Sequence, residues 1–454
     1  MKTLWSGSGA THRDVLAYTV GDDRAWDARL LPWDILGSLG HIEGLRAAKL
    51  LSAGDHTRLR AGLRRALRSY DAGRLRIGRE HEDAHSAVEA WLTKRLGAVG
   101  ERVHTGRSRN DQVAVDVRLW AKDRLLGTHE AASRLAAALL GFARRERGSL
   151  WPGYTHLRRA MPSSAGLWAA ALAEGLLDTL ESFEAVWRQL DRSPLGSAAG
   201  YGAPLPLDRE RVARALGFAE VEHAIGSVQN GRGKLEAAAL FWAVQLGHDI
   251  GKLATDVVLL TGEEFGLLVL PASLATGSSI MPHKRNPDVF ELTRARVALI
   301  EAQLSATLGL RAKLTSGYHR DFQLLKAPLM AGLDTATSIA AMMATVVPLL
   351  EVRRGRGREL LEGGALATDE VMRRVEAGIP FRRAYREVAA ALKRGERFPA
   401  PSATALIARR RSTGGIGNLD LGRPAARLAA IDRWRRRERA RFDRAMHRLA
   451  GRRR

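Results

Sequence analysis

Cysteine is absent from all 454 residues, which excludes a disulfide scaffold, a thiol nucleophile and any Cys-based zinc or iron–sulfur site, and suits a reducing compartment. Aromatic residues are scarce too, 6% against a hydrophobic total of 45%, so the apolar content is rich in Ala and Leu, as in helical rather than β-rich proteins. Long apolar runs are missing. The longest, Ile339 to Leu350, is too short to span a bilayer and is interrupted by Pro348. The stretch Met1 to Asp14 lacks the apolar segment of a secretory signal. A soluble, cytoplasmic protein with no membrane partner is expected.

Acidic residues are outnumbered, 49 Asp and Glu against 72 Lys and Arg, for a net charge of +23. That balance raises nucleic acid as a partner. However, the excess is spread along the chain, with denser clusters only at Arg433 to Arg441 and Arg452 to Arg454, and no zinc-finger, RNP or basic-zipper pattern accompanies it. A solvated Arg-rich surface whose field attracts a polyanionic small substrate fits better than a nucleic-acid partner. The length asks for two or three domains.

What is present is long helical periodicity. Leu235, Ala239, Trp242, Leu246, Ile250, Leu253, Val257 and Leu260 recur at three- and four-residue steps, the seam of a long packed helix. Comparable stretches run over Ser164–Leu190, Asp288–Leu308 and Phe322–Val347. Helices of this length need partners along most of their surface, so the expectation is an all-α fold, with a long central bundle over 107–352 shared between subunits. Smaller helical regions flank it: 1–106, read as short helices separated by Gly and Pro, and 353–454, which is helical, basic and punctuated by Gly378-Ile-Pro380 and Pro399-Ala-Pro401.

The chemistry-bearing residues lie in the connections. In Thr276 to Leu292, Gly277, Ser278, Ser279 and Pro282 forbid a continuous helix or central strand, and Pro287-Asp288 starts the next helix. Lys284 and Asn286 thus sit within a few residues of two hydroxyls: anion-binding groups beside a potential nucleophile or base. A second segment, His104 to Gln112, is a polar turn leading into a helix. Ser108, Arg109 and Asn110 at a helix start can receive a carboxylate, although Ser108 or Asn110 can equally act as a cap. Gly153 to Leu157 precedes one long helix. The glycine-rich Pro194 to Gly202 follows that helix, without the Gly-Lys-Ser/Thr of a phosphate loop. Gly317 to Lys326 gathers further polar groups. His81-Glu-Asp-Ala-His85 matches the H-E-x-x-H pattern of zinc proteases, but no third ligand stands out downstream and the pattern is short.

Four of these segments, in order, carry a resemblance. Gly277-Ser-Ser-Ile-Met-Pro-His-Lys-Arg-Asn286 resembles the G-S-S-x-M-P-x-K-x-N signature of the fumarase/aspartase superfamily, and Thr105 to Gln112 is similar to the turn that sets argininosuccinate lyases apart within it. Gly153 to His156 and Tyr318 to Lys326 look like that branch's remaining site segments.

The resemblance covers essentially the whole chain. It implies an anti elimination that splits a C–N bond of argininosuccinate into arginine and fumarate, with no metal or organic cofactor. It also implies a homotetramer whose sites draw on three subunits. Ser278 would be the base, Lys284 would stabilise the aci-carboxylate, His156 would act at the leaving group and Glu291 would orient it. Substrate contacts would come from Asp83, Ser108, Arg109, Asn110, Thr155, Asn286, Tyr318, Gln323 and Lys326. Arg232 resembles an arginine of the family's third segment, and Thr19 or Asp23 stands in for its N-terminal serine. Departures are Arg320 for a lysine, Leu324 and Leu325 for two acidic residues, and His81 at an acidic position. The resemblance leaves open a lyase of another succinyl adduct such as adenylosuccinate, and a non-catalytic structural paralogue like the family's lens proteins.

Overall fold

The seam of residues 235–260 becomes one helix of 28 residues, Lys234–Thr261, with Ala239, Trp242, Leu246, Ile250, Leu253, Val257 and Leu260 all buried. It occupies the middle of a bundle in the computed structural model, which describes residues 12–78, 80–399 and 401–452. Residues 1–11, where most of the N-terminal reading falls, lie outside the described residues, as do Ala400 and the terminal Arg453 and Arg454.

The helices that build the site are α1 (Asp23–Ala47), α2 (Ala53–Asp71), α3 (Ala84–Leu96), α4 (Arg109–Arg145), α5 (Ala165–Leu190), α6 (Arg209–Ala215), α7 (Lys234–Thr261), α8 (Asp288–Arg311), α9 (Lys326–Val346) and α10 (Gly422–Ala450). α4, α5, α7, α8 and α9 pack lengthwise on one another, and α10 returns from the C-terminal region to lie against α4 and α5. One continuous core runs from Leu30 to Leu449. Smaller cores form around Leu150, Leu361 and Leu406 and around Val371, Ala384 and Val388.

Two expectations need correction. The N-terminal region is not a set of short helices: α1 runs for 25 residues through Pro32 and three glycines. Its glycines serve close packing, because a Cβ on Gly40 would stand 2.5 Å from Leu216 and one on Gly44 2.5 Å from Val212, both on or beside α6. Tertiary contact therefore overrides the helix-breaking tendency of Pro and Gly. The apolar run Ile339–Leu350 is also part of a longer helical stretch. The helical stretch 320–349 meets the length and composition of a membrane span, but half of its most apolar window is buried inside the bundle, as in a core helix.

The dense Arg run of α10 is largely ion-paired. Arg435 meets Glu130 and Asp432, Arg439 meets Asp123 and Asp443, and Arg441 meets Asp191 and Glu438.

Where α4, α5, α7 and α10 meet, His129 lies among Phe183, Trp242 and Trp434. Burial drives its pKa down to about 4, against the hydrogen bond to the Leu180 carbonyl, which raises it. The folded ring thus stays neutral where an unfolded one, titrating at about 6.5, takes up a proton. Its stabilising part is complete above pH about 6.5 and is lost as pH falls towards 4, on the order of 3 kcal/mol in all. Denaturant unfolding from pH 7 to 4 should show wild-type stability falling more steeply than that of His129→Gln, by about one proton's worth of slope. Parallel slopes would contradict a neutral His129.

Candidate active site

The turn at 105–108 is shaped by Gly106 at φ +72°, and Ser108 then caps α4. Its hydroxyl accepts the Asn110 N–H at 3.2 Å while Asp111 Oδ1 accepts the Ser108 N–H, a reciprocal cap. Ser108 is thus committed to the backbone. Asp111 also accepts the Gly196 and Ala198 N–H groups, each at 2.9 Å, which explains the glycine-rich 194–202 loop as a structural partner of α4. Burial raises the Asp111 carboxyl to about 6, against these hydrogen bonds.

The cap directs Arg109 and Asn110 into a cleft of about 200 Å³. Six of the residues expected from the sequence meet there: Asp83, Arg109, Asn110, Tyr318, Gln323 and Lys326. Arg232, Arg320 and Asp23 join them. Of the two candidates for the N-terminal contact, Asp23 lines the cleft, whereas Thr19 turns its hydroxyl to the Val15 and Leu16 carbonyls and offers its own carbonyl to Arg320 and Gln323.

Asp27 and Glu82 also line the cleft, and neither was singled out as a substrate contact. Glu82 bonds Arg109 and Arg320, at 3.3 and 3.4 Å. Asp83 caps α3 and pairs with Arg109. Lys326, 2% exposed, is held at 2.5 Å from Asp27 and 2.6 Å from Asp23. Burial raises the pKa of Asp23, and Lys326 opposes the rise.

Four carboxylates (Asp23, Asp27, Glu82, Asp83) therefore face four cations (Arg109, Arg232, Arg320, Lys326) in the cleft. Such a wall can receive a ligand that itself carries both carboxylates and a guanidinium, by exchange of partners.

The H-E-x-x-H reading does not survive the fold. Residues 81–83 precede α3, so the two histidines share no helical face. His85 points instead into the core, 2.8 Å from Asp34 and 3.8 Å from Asp116. Burial lowers the imidazolium's pKa, but Asp34, with Asp116 and Asp27, outweighs it and holds His85 at about 9. These three side chains are close enough to share a cation, and the imidazolium supplies that charge itself.

The remaining expected residues stand elsewhere on the chain. Thr155 and His156 end a β-hairpin, β1 (Leu150–Thr155) with β2 (Arg158–Ser164), in place of the expected plain polar connection. His156 and Leu157 form its two-residue turn with φ of 51° and 58°, the left-handed pair such a turn demands, and both are exposed. Ordinary residues in that conformation cost roughly 1 kcal/mol or more each, so the tip is a strained mount for an imidazole.

The 276–287 loop is pinned at its neck, where Thr276 and Asn286 exchange backbone hydrogen bonds and Asn286 Nδ2 donates to the Gly277 carbonyl at 3.4 Å. Inside it, Ser278 Oγ accepts the N–H groups of Met281 at 3.1 Å and Ile280 at 3.4 Å. Donors aimed at a hydroxyl oxygen favour its alkoxide. Lys284 is exposed, and Glu291 in the first turn of α8 lies 3.8 Å from Arg294. None of Ser278, Lys284, Asn286, His156 and Glu291 lines the cleft of its own chain among the described residues.

A family model described as a lyase matches residues 42–300. The solved structure of EDDS lyase with formate superposes with a TM-score of 0.80 at 24% identity, covering 98% of this chain and 95% of that one. A class II fumarase from Schistosoma mansoni gives 0.71 at 16%, over 87% and 91% of the two chains. Fold and sequence family together define an enzyme, a lyase of the fumarase/aspartase superfamily.

Among its relatives, the argininosuccinate lyase of Sorangium cellulosum is 44% identical over 425 residues, 94% of this chain and 98% of the relative. That of Thermotoga neapolitana is 39% identical over 386 residues, 85% and 97% of the two chains. The chain belongs to the argininosuccinate lyase family.

Proposed function

We propose that this lyase cleaves argininosuccinate to arginine and fumarate by anti elimination, needing no metal or organic cofactor, as a cytoplasmic homotetramer. The observation that carries the substrate is the balanced cleft. Arg109, Arg320 and Lys326 would exchange onto the substrate's carboxylates, while Asp23, Asp27, Glu82 and Asp83 would receive its guanidinium and ammonium groups. Asn110, Tyr318 and Gln323 supply hydrogen bonds, and Thr155 comes in with the hairpin.

In the chemistry proposed, the Ser278 alkoxide removes the proton next to a carboxylate. The electron pair moves into that carboxylate, and Lys284 and Asn286 stabilise the aci-form. Collapse of the aci-carboxylate forms the fumarate double bond and breaks the C–N bond. His156, charged and oriented by Glu291, protonates the departing nitrogen.

Sharing of sites between subunits is supported by apolar side chains facing outward on the central helices: Phe241 on α7, Leu292, Leu299 and Leu308 on α8 and Met342 on α9. Outward-facing apolar side chains spaced along a long bundle are interface material.

The cleft should reject a succinyl adduct lacking an alkyl guanidinium, because its carboxylates would be left unpaired. Argininosuccinate is therefore expected to have a kcat/KM at least about a hundredfold above that of adenylosuccinate. The reverse preference would refute the substrate assignment.

A further inference from the structure

A second cleft, of about 380 Å³, is lined by Glu43 and by Arg60, Arg64, Arg211, Arg214 and Arg448. It lies between α1, α2, α6 and the C-terminal end of α10, and it is larger than the substrate cleft of the same chain. Sixteen residues of α1 separate Asp27 at the substrate cleft from Glu43 here, about 24 Å at 1.5 Å per residue. Five guanidinium groups converge on this space against one carboxylate, and that carboxylate, Glu43, already accepts a hydrogen bond from His56 at 3.0 Å.

The arginines here differ from those elsewhere. Those of α10 that face α4 and α5 are matched with Asp and Glu, as described above, whereas none of the five makes an ion pair among the described residues. Arg64 donates to the Leu449 and Arg448 carbonyls at 2.9 Å, and Arg448 donates to the Arg214 and Ala215 carbonyls at 3.3 Å. These two are thus braced by the ends of α10 and α6 while their full charge remains. The side chains of Arg60, Arg211 and Arg214 have no hydrogen-bond or ion-pair partner among the described residues. Gathering like charges without counterions opposes folding, and a bound anion relieves it. A forked guanidinium pairs best with the planar or tetrahedral oxygens of carboxylate and phosphate, and a net excess of four positive charges calls for several negative charges in a small volume.

We propose that this cleft is a binding site for a compact multivalent phosphate, of the pyrophosphate, triphosphate or nucleotide-phosphate class, separate from the substrate cleft. Arg211 and Arg214 are exposed and their side chains make no hydrogen bond or ion pair among the described residues, so their removal spares the fold and the catalytic groups.

The test is calorimetric titration of the full-length enzyme with tripolyphosphate at about 0.15 M ionic strength, with fumarate and arginine saturating the substrate site. Wild type should bind saturably. Arg211→Gln/Arg214→Gln should bind at least about a hundredfold more weakly, about tenfold for each lost charge-assisted contact, and should keep wild-type turnover. Arg60→Gln should weaken binding about tenfold. Equal affinity in wild type and the double variant, or no saturable binding to wild type, overturns the site. Tighter binding of a single-stranded oligonucleotide than of tripolyphosphate, lost in the same double variant, would assign the cleft to nucleic acid and equally overturn the proposal.

Discussion

Ser278→Ala should lower kcat by at least about 1,000-fold, roughly 4 kcal/mol of transition-state stabilisation, while leaving unfolding midpoints and substrate affinity close to wild type. The reason is local. Ser278 Oγ accepts two loop N–H groups and is only half-buried among exposed loop residues, so its loss leaves no enclosed cavity. What disappears is an oxygen placed where its negative charge is favoured. An alcohol is a poor base at neutral pH, and the two N–H donors with Lys284 nearby in the loop are the means of improving it. Single-turnover measurement of fumarate, with substrate binding followed separately, distinguishes the two effects. A variant with full turnover removes Ser278 as the base. One that merely raises KM turns it into a binding residue.

Mixing two dead variants should restore activity. The hairpin tip with His156 and the loop with Ser278 are both absent from the cleft lined by Arg109, Asn110 and Lys326 of the same chain, and the proposed assembly brings the three together from different subunits. Suppose inactive Ser278→Ala and inactive His156→Asn are unfolded together and reassembled at equal amounts. A site then works only if its serine comes from one variant and its histidine from the other, which random assembly satisfies at about a quarter of sites. Recovery of roughly 25% of wild-type activity is expected. If both residues came from one subunit, every site would carry at least one substitution and recovery would be nil, so the experiment separates the shared site from a self-contained one. Its outcome does not depend on knowing which helices touch.

The parts of this protein that sequence reasoning reached are those encoded by local spacing. The three- and four-residue seam from Leu235 to Leu260 specifies α7 because burial on one helical face is a local property. The 276–288 segment declares itself a loop through Gly277, Pro282 and Pro287. What escaped was set at long range. The Pro and Gly residues of α1 predict breaks, and their purpose shows only where Leu216 and Val212 stand against Gly40 and Gly44. The β1–β2 hairpin carries no Asn-Gly at its turn and uses His156 and Leu157 in left-handed conformation instead. Asp27 gave no signal, since its meaning lies in Lys326, 299 residues away. Glu82 looked like part of a metal motif because the pattern assumes a helix that starts only at Ala84.

The same distinction applies to the candidate site. The resemblance carried by the four segments implies an elimination at a carbon next to a carboxylate, and the charge balance of the cleft, visible only in three dimensions, supports the proposed adduct. Buried pairing raises the stakes of that balance. Lys326 with Asp23 and Asp27 is a charge cluster that must be kept intact or exchanged onto ligand, because a single unpaired buried charge costs about 3–5 kcal/mol.

The most direct measurement is product release. Purified enzyme given argininosuccinate, with no added metal and with chelator present, should produce fumarate and arginine in equal amounts, with fumarate followed by its ultraviolet absorbance and arginine by chromatography. Equimolar appearance of the two is the result the proposed reaction predicts. Release of neither product across a range of pH and ionic strength, from protein that is folded and assembled, would contradict it.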